Sequence, residues 1–465
     1  MASDRFQVRH PSPWARMRAK SILAGPAIVE EKIVVGADKQ TGERVGVSRS
    51  QLNNHTVVIG RSGRGKTETI LTLCDGAAKL GMPILFVDGK GDPAVLEGLR
   101  SIALGSAKKF YAFDSIAPEV SCAWDIFADL GPTTQADIIV RLRKFSEPHY
   151  EAKAAKFALV ACKVMRHTGQ KVDVFSFHRS LSVNWLLASL RHRARKDDVA
   201  GRELMQEVTE LRAIEKEAVD SLMSEVGRLK DASCGWLFDV KRALEEKREL
   251  LRLTQARREN AIVYVGLPAL EYPETAAKVG ALAIAALKAN LPILDRENSL
   301  QSKTPLPLEK KQIFCVFDEW ASFAGGGDHI RGVVNMGRSW GASACLAGQS
   351  CADFFVDGND TLLRQVAGSC ANFIVHECND PQDAEYAASL FGTVDAISYT
   401  AQTMGGAPTG AASARRTKVF VVHPDDIKNI GVGEAFLMNK NEKNKKTNRS
   451  VVRLVRIRRR GQLPN

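Results

Sequence analysis

The 465-residue chain lacks several features that would place it in a specialised class of proteins. Its nine cysteines are odd in number and include no Cys-x-x-Cys pair, so we expect buried free thiols in a reducing cytosol. No signal sequence is apparent, and no apolar run reaches the roughly 18 residues that a membrane-spanning helix needs. The nearest candidate, 279–294, contains Lys288 and Asn290 and indicates a buried helix instead.

What the chain does contain is a large apolar fraction and an excess of positive charge. Hydrophobic residues make up 45% and charged residues 25%, which is typical of a globular protein with a sizeable core. The length fits about three domains, or one large α/β core with an insertion. Lysine and arginine number 65 against 53 acidic residues, a net charge of +12, so an anionic partner such as nucleic acid or a membrane surface is favoured.

Short apolar runs separated by helical segments recur along most of the chain. Runs of this kind, without alternation of polar residues, are typical of parallel strands that are covered on both faces. The pattern predicts an α/β fold with a doubly wound, mostly parallel sheet. The predicted strands are 55–60, 83–88, 109–114, 261–266, 312–319, 342–348 and 371–377.

Three intervals depart from this rhythm. Residues 133–258 give almost no strand signal and carry 25 Lys and Arg against 18 Asp and Glu, which predicts an inserted all-α domain. Residues 398–417 are small, polar and glycine-rich, which indicates a mobile loop. Residues 440–460 contain ten Lys and Arg and one Glu, and their alternation predicts a strand with one basic face.

We therefore expect five parts. They are a basic lead-in at 1–25, the first part of a nucleotide-binding core at 26–132, the all-α insertion at 133–258, the second part of the core at 259–440 and a basic C-terminal strand and tail at 441–465.

The most informative motif follows the strand 55–60 and precedes a helical segment. It has the pattern G-x-x-x-x-G-K-T, in which glycines turn backbone N–H groups toward phosphate oxygens at a helix N-terminus. The lysine of this P-loop contacts the β- and γ-phosphates, and the threonine hydroxyl contacts Mg²⁺. The predicted nucleotide-binding residues are Gly60, Arg61, Ser62, Gly63, Arg64, Gly65, Lys66 and Thr67.

An acidic pair ends another predicted strand, at Asp318 and Glu319. We predict that Asp318 supports the Mg²⁺ ion and that Glu319 polarises the attacking water. Further along, Arg338 could stabilise transition-state charge on a neighbouring subunit's nucleotide, and Gln349 could sense the γ-phosphate. A surface salt bridge for Arg338 and a strand-end cap for Gln349 stay open as ordinary alternatives.

A polar cluster ends a third strand, in the sequence Val-Asp88-Gly-Lys90-Gly-Asp92. The carboxyl ends of parallel strands form the ligand edge of an open sheet, so these residues are candidates for the same site. A role in forming the turn is an equally good interpretation.

The motifs together resemble those of the type IV coupling proteins of conjugative secretion systems, the TraD/TraG group of hexameric P-loop ATPases. The similarity covers about residues 26–440, in the order found in that family. The P-loop is shared by many NTPases, whereas its combination with the other stretches is more specific. The stretches are NNHTVVIGRSGRGKTET, ILFVDGKGDP, AIVYVGLPALEYPETAAKVGALAIAALKANL, FCVFDEWASF, GRSWGASACLAGQS and LLRQVAGSCANFIVHECNDPQDAEYAASLFGTV.

This resemblance implies a RecA-like core, an all-α domain and assembly into a homo-hexamer that hydrolyses ATP with Mg²⁺. Lys66 and Thr67 look like Walker A residues, and Asp318 and Glu319 like Walker B residues. Arg338 looks like an arginine finger, and Gln349 like a γ-phosphate-sensing glutamine. The implied partners are single-stranded DNA with its relaxase and the components of a type IV secretion channel, at the cytoplasmic face of the inner membrane.

One departure concerns the start of the chain, where most family members have transmembrane helices and this sequence has a basic lead-in. The departure leaves room for a separate membrane protein as anchor. Three alternatives also stay open: a receptor ATPase for secreted protein effectors, an ATP-switched assembly module, and another kind of ring-forming DNA pump. The large helical interval 133–258 favours a coupling protein over other DNA pumps.

Overall fold

The structure, a computed structural model, describes most of residues 11–459. It comprises two compact units, residues 1–80 with 344–465 and residues 81–343. Residues 1–10 of the expected lead-in and residues 446 and 460–465 of the expected tail lie outside the described residues. The other residues outside the description are 143–144, 146, 194–197, 215, 268, 302–311, 324–327, 356–358 and 405–406.

The strands are short, apart from four longer ones in the last third of the chain. They are β1 (Ile28–Val29), β2 (Lys32–Asp38), β3 (Arg44–Ser48), β4 (Thr56–Ile59), β5 (Ile84–Asp88), β6 (Phe110–Asp114), β7 (Ala123–Trp124), β8 (Leu250–Leu251), β9 (Ile262–Gly266), β10 (Ile313–Asp318), β11 (Ala342–Gly348), β12 (Asn372–Val375), β13 (Thr393–Met404), β14 (Ala407–Phe420), β15 (Glu434–Lys443) and β16 (Ser450–Ile457).

The helices range from one turn to 29 residues. They are α1 (Pro13–Ala24), α2 (Arg49–Leu52), α3 (Lys66–Lys79), α4 (Pro93–Gly105), α5 (Pro132–Val140), α6 (Pro148–His167), α7 (Val174–Ser180), α8 (Val183–Arg193), α9 (Val199–Glu210), α10 (Lys216–Asp231), α11 (Val240–Glu245), α12 (Leu253–Arg258), α13 (Pro273–Gln301), α14 (Asp328–Met336), α15 (Thr361–Ser369), α16 (Pro381–Phe391) and α17 (Pro424–Lys428).

In the first unit, β4 lies between two parallel neighbours, β11 and β12. Beyond β12 the pairing becomes antiparallel and runs through β15, β16 and β2, with β1 and β3 both paired to β2. All four residues of β4 are buried, as are those of β12. The carboxyl ends of β4, β11 and β12 therefore share one edge, at which the P-loop begins.

In the second unit, β10, β5, β9 and β6 are neighbours in that order and all run parallel. The register sets Asp318 opposite Asp88, and Asp88 opposite Gly266. Every residue of β5, β9 and β10 is buried. Because parallel strands align their carboxyl ends, the acidic strand ends of this unit meet at one edge.

All seven predicted strands are present, and six of them are buried along their whole length, which explains their continuous apolar runs, whereas β6 alternates between half-buried and buried residues. The bounds differ from the sequence pattern by at most two residues at either end. The nine cysteines are all free and buried, as expected. The α/β class is confirmed: β10, β5, β9 and β6 of the second unit are all parallel, whereas in the first unit the parallel strands β4, β11 and β12 continue into antiparallel ones.

The interval predicted to be helical contains α5 to α12 and one two-residue strand, β8, which pairs in parallel with β7. Next to this pair, an aromatic cluster joins Phe113, Trp124 and Phe238. The ring centroids of Phe113 lie 5.2 Å from those of Trp124 and of Phe238. All three side chains are among the largest fully buried ones, so the cluster joins the helical segment to the strand β6.

The buried helix expected at 279–294 forms part of α13. Among the described residues, Pro273–Ile293 is the one helical stretch that is long and apolar enough to cross a membrane by those criteria alone. More than half of this stretch is buried inside the protein, as is also found for core helices.

The prediction of a mobile loop at 398–417 is wrong. The segment belongs to an antiparallel hairpin, in which β13 and β14 pair from Thr393 opposite Phe420 to Met404 opposite Ala407. The physical reason is that ladder hydrogen bonds come from the backbone, so small and polar residues can form them. The β-branched residues of 393–400 favour the extended form.

The C-terminal strand is confirmed as β16, but its basic face is partly neutralised. The guanidinium of Arg453 forms a bidentate pair with the carboxylate of Glu442, at 2.9 and 2.6 Å. Arg458 donates a hydrogen bond to the carbonyl of Gly25 and lies 3.7 Å from Asp75. The solvent-exposed charge of this strand is therefore smaller than its composition indicates.

We expect the Phe238→Ala variant to lower the free energy of unfolding by about 3–5 kcal/mol, because it opens a cavity among buried rings. Chemical denaturation followed by tryptophan fluorescence measures this loss. Leu104→Ala is the control, since Leu104 is 85% exposed and its truncation should cost less than about 0.5 kcal/mol. Equal effects of the two substitutions would contradict the role of the cluster.

Candidate nucleotide site

Three glycines give the loop between β4 and α3 its shape. Gly60, Gly63 and Gly65 have φ angles of +150°, +77° and +105°, which residues other than glycine rarely adopt. A Cβ atom at Gly60 would lie 2.5 Å from the Cβ of His376, so this position also has no room for a side chain. The loop is thus bent into a series of turns that the sequence G-x-x-G-x-G makes possible.

Lys66 begins the helix α3, and Gly65 precedes it in the left-handed conformation. The ammonium of Lys66 is buried and donates a hydrogen bond of 2.5 Å to the carbonyl of Gly60. Its side chain therefore spans the loop from end to end. Thr67 is the second residue of the helix and is partly exposed. The arrangement places a cation, a hydroxyl and the positive end of a 14-residue helix together, which suits phosphate binding.

The segment after β12 supports the loop, a role that sequence reasoning missed. The buried carboxylate of Glu377 pairs with Arg61 at 3.3 Å and with Arg64 at 2.8 Å. The backbone N–H of Arg61 also donates to the carbonyl of Glu377, at 2.9 Å. Both arginines of the motif are therefore used to hold the loop in place. A charged residue directly after a buried strand was the signal available in the sequence.

His376 lies beneath the same loop and is buried. Its Nδ1 is 2.9 Å from the carbonyl oxygen of Glu434, and its Nε2 is 3.0 Å from the hydroxyl of Thr69. Since a carbonyl only accepts, Nδ1 carries the proton and Nε2 accepts from Thr69. Burial, assisted by the nearby charge of Lys66, lowers the pKa of His376 to about 4. The imidazole is therefore neutral and does not add a second cation beneath the loop at pH 7.

Gln349 follows β11 in the same unit. Because Gly348 is opposite Ile59 in the parallel register, Gln349 comes to the edge at which the P-loop starts. Its backbone N–H donates to the carboxylate of Asp353 at 2.6 Å, and its side chain is exposed. The predicted residues of the first unit, 60–67 and Gln349, thus share one edge of the sheet.

The acidic residues belong to the second unit. Asp318 ends β10 and is 7% exposed. Glu319 follows in the left-handed conformation, with φ 50° and ψ 41°, which costs a residue other than glycine on the order of 1–3 kcal/mol. Its carbonyl accepts hydrogen bonds from both the N–H and the hydroxyl of Ser322, at 2.9 and 2.8 Å. These hydrogen bonds hold the strained turn, and the turn fixes the backbone position from which the side chain of Glu319 extends.

The cluster that ends β5 packs against this turn. The ammonium of Lys90 lies 2.5 Å from a carboxylate oxygen of Glu319. Asp88 accepts from the N–H groups of Lys90 and Asp92, at 2.9 and 2.8 Å, so it forms the turn as the ordinary interpretation held. The cluster is thus both a turn and a neighbour of the predicted catalytic acid.

Burial raises the pKa of Asp88 above its usual value, although three hydrogen bonds, including one from the hydroxyl of Tyr264, act in the opposite direction. For Lys90, burial acts to lower the pKa, but the hydrogen bond and charge of Glu319, with Asp318 and Asp88, outweigh it and the pKa is raised. Lys90 is therefore a stable cation.

Arg338 lies in the same unit, on the 3₁₀ turn Gly337–Trp340 that precedes β11, and it is exposed. The predicted residues thus fall into two groups. One comprises 60–67 with Gln349, and the other Asp318, Glu319 and Arg338, of which the first two contact the Asp88 turn.

Two family models match separate parts of the chain. A family model described as the helicase HerA-like C-terminal matches residues 33–138. A second, described as the TraM recognition site of TraD and TraG, matches residues 312–431, which include Asp318, Arg338 and Gln349. The second match supports the resemblance of the chain to the type IV coupling proteins of the TraD/TraG group.

A curated coupling protein is similar to a short part of the chain. The type 4 coupling protein DotL of Legionella pneumophila is 36% identical over 67 residues, which are 14% of this chain and 9% of that protein. The match therefore spans only about a tenth of the relative's length.

Solved structures, including those of the coupling protein TrwB, show the same fold at low sequence identity. The bacterial conjugative coupling protein TrwBdeltaN70 has a TM-score of 0.58 at 14% identity, with 96% of this chain and 93% of that one covered. TrwB in complex with ADP and Mg²⁺ gives 0.56 at 15% identity, covering 89% and 87%. VirB4 of Thermoanaerobacter pseudethanolicus gives 0.54 at 13%, covering 93% and 98%. These likenesses confirm the predicted RecA-like architecture with an all-α part.

The buried His376 predicts a specific acid sensitivity of this protein. Between pH 6.5 and about 4, the unfolded chain binds a proton at this residue and the folded chain does not. Stability is therefore lost as the pH falls through this range, by on the order of 3 kcal/mol. Chemical denaturation at a series of pH values should show a shallower loss for His376→Gln or His376→Asn.

The control for this prediction is His192→Gln, because His192 is exposed at the end of α8. That substitution should leave the pH dependence of stability unchanged. A wild-type slope in both His376 variants would show that the buried imidazole is not the group responsible.

Proposed function

We propose that the chain is an ATP-hydrolysing motor that delivers single-stranded DNA, or a relaxase–DNA complex, to a type IV secretion channel. The observation that carries this proposal is the loop between β4 and α3, with three left-handed glycines and Lys66 at the start of a helix. This geometry suits a chain of phosphates. The similarity of residues 312–431 to the TraD and TraG family model supports DNA as the transported polymer.

ATP and Mg²⁺ are the proposed cofactors. The loop 60–67 binds the phosphates, with Lys66 as the cation at the β- and γ-phosphates. Thr67 and Asp318 would hold Mg²⁺. Within the described ranges no group of three or more His, Cys, Asp or Glu residues could hold a metal, which fits Mg²⁺, since this ion usually takes one or two protein ligands together with phosphate oxygens.

We assign hydrolysis to Glu319, Gln349 and Arg338. Glu319 polarises the attacking water, and Gln349 senses the γ-phosphate. Arg338 stabilises the transition-state charge of a neighbouring subunit's nucleotide, for which its exposed position is suitable. A finger that acts on a neighbour requires an assembly of subunits, and the resemblance to the coupling proteins implies six of them, so we propose a homo-hexamer.

The proposed partners follow from charge and family. The net charge of +12 supports sequence-independent binding of the DNA backbone. The channel components lie at the membrane, so we place the protein at the cytoplasmic face of the inner membrane. The proposed domain organisation has an inserted all-α domain at 133–258 between two parts of the nucleotide-binding core, 26–132 and 259–440.

The Glu319→Gln variant should bind nucleotide normally and hydrolyse it about 10²–10⁴-fold more slowly, because the amide cannot accept a proton from water. Phosphate release and the binding of a fluorescent ADP analogue measure the two properties separately. Lys66→Ala should lose nucleotide binding itself.

Glu385→Gln makes the same chemical change at an exposed position of α16 and serves as the control. It should leave both properties at wild-type values. Full hydrolysis by the Glu319→Gln variant would remove this residue from the proposed mechanism.

Single-stranded DNA should stimulate hydrolysis and bind in a salt-dependent manner, with the logarithm of affinity falling linearly with that of the salt concentration. Mass determination with a non-hydrolysable ATP analogue and single-stranded DNA present should give a hexamer. Hydrolysis that is indifferent to DNA, together with no DNA retention at low salt, would contradict a DNA motor.

A further inference from the structure

The contact between Lys90 and Glu319 joins two turns that each follow a strand of the second unit. The ammonium nitrogen and carboxylate oxygen are 2.5 Å apart, which is short for such a pair. Glu319 is mostly buried, with 13% of its side chain exposed, whereas Lys90 is 47% exposed. The lysine therefore reaches in from the solvent side and makes a charge-assisted hydrogen bond to the carboxylate.

The backbone fixes the position of Lys90 independently of this contact. The N–H of Gly89 donates to the carbonyl of Asp318 at 3.1 Å. A Cβ atom at Gly89 would collide with the hydroxyl of Ser322 and lie 2.9 Å from the carbonyl of Glu319, so only glycine fits there. The two turns are thus interlocked, and Lys90 has a defined origin from which to reach Glu319.

The same contact acts on a residue in a strained conformation. Glu319 has positive φ, from which it would relax if its surroundings allowed. The N–H of Glu319 donates to its neighbour Asp318 at 3.1 Å, and its carbonyl is held by Ser322. These bonds hold the main chain, whereas the bond from Lys90 acts on the carboxylate itself.

Lys90 also brings positive charge to a crowded group of carboxylates. Glu319, Asp318 and Asp88 are the charges that favour its protonated form, in that order. The three carboxylates repel one another, and the ammonium of Lys90 offsets this repulsion and so keeps the side chains together. A carboxylate that is to polarise one water molecule must be held in one place, because small displacements of reacting groups reduce rates strongly.

We infer that Lys90 is a positioning residue for hydrolysis: it fixes the carboxylate of Glu319 over its strained turn so that this carboxylate can polarise the attacking water. The inference rests on the proposed ATPase function and adds to it a residue outside the P-loop and the acidic pair. Lys90 acts through Glu319.

The test is steady-state phosphate release as a function of ATP concentration, with single-stranded DNA present, for the full chain. Lys90→Met should lower kcat by about 10–100-fold, the effect of a misplaced catalytic group, and leave KM within about threefold. Lys90→Arg restores the cation and should recover most of kcat. Lys90→Met added to Glu319→Gln should cause little further loss, because both substitutions disable one interaction.

Lys163→Met is the matched control, since Lys163 is 40% exposed and forms a 2.9 Å pair with Glu207 on the helical segment. It should leave kcat and KM unchanged. The inference is overturned if Lys90→Met retains wild-type kcat, raises it, changes KM as much as kcat, or is not rescued by arginine.

Wild type and Glu319→Gln are measured in parallel to separate the two levels of the proposal. If the wild type shows no hydrolysis that depends on Glu319, the ATPase function is overturned, and the role of Lys90 with it. Hydrolysis that depends on Glu319 but not on Lys90 would overturn the role of Lys90 alone. Thermal unfolding of each variant shows whether a lost kcat reflects a lost fold.

Discussion

The shape of the loop from Gly60 to Lys66 depends on contact with a second strand end. His376 lies against Gly60, and Glu377 pairs with both arginines of the loop. Glycines permit the left-handed turns but do not select them, since glycine has the most conformational freedom in the unfolded chain. The selection comes from the packed residues, which hold one loop conformation before any phosphate binds. Such pre-organisation reduces the entropy cost of binding.

Near the carboxyl ends of the strands in each unit, buried charged side chains lie against partners. Lys66 donates to a carbonyl of its own loop, Glu377 holds two guanidiniums, and Lys90 meets Glu319. An isolated charge at these positions would carry a large desolvation cost, which the pairing offsets. His376 avoids the cost differently, by staying neutral. The fold therefore tolerates an unusual density of ionisable groups at the ends of buried strands.

The strands and the P-loop could be predicted from the sequence because their signals are local. An apolar run flanked by helical segments determines a parallel strand, and the glycine spacing determines the loop. The supports of the site could not be predicted, since nothing within ten residues of His376 or Lys90 indicates which distant residue each will contact. The hairpin β13–β14 was mistaken for a loop because composition outweighed the extended preference of 393–400. The pairing of Arg453 with Glu442 likewise depends on register.

The distance along the chain between the loop and its supports has a consequence for biosynthesis. Thr69 meets a histidine 307 positions later, and Thr72 donates to the carbonyl of Arg458, 386 positions later. On the ribosome, the helix α3 therefore emerges long before the residues that complete its surroundings. Until those later residues have been translated, the nascent chain has the glycine motif without the contacts that hold the loop in its folded shape.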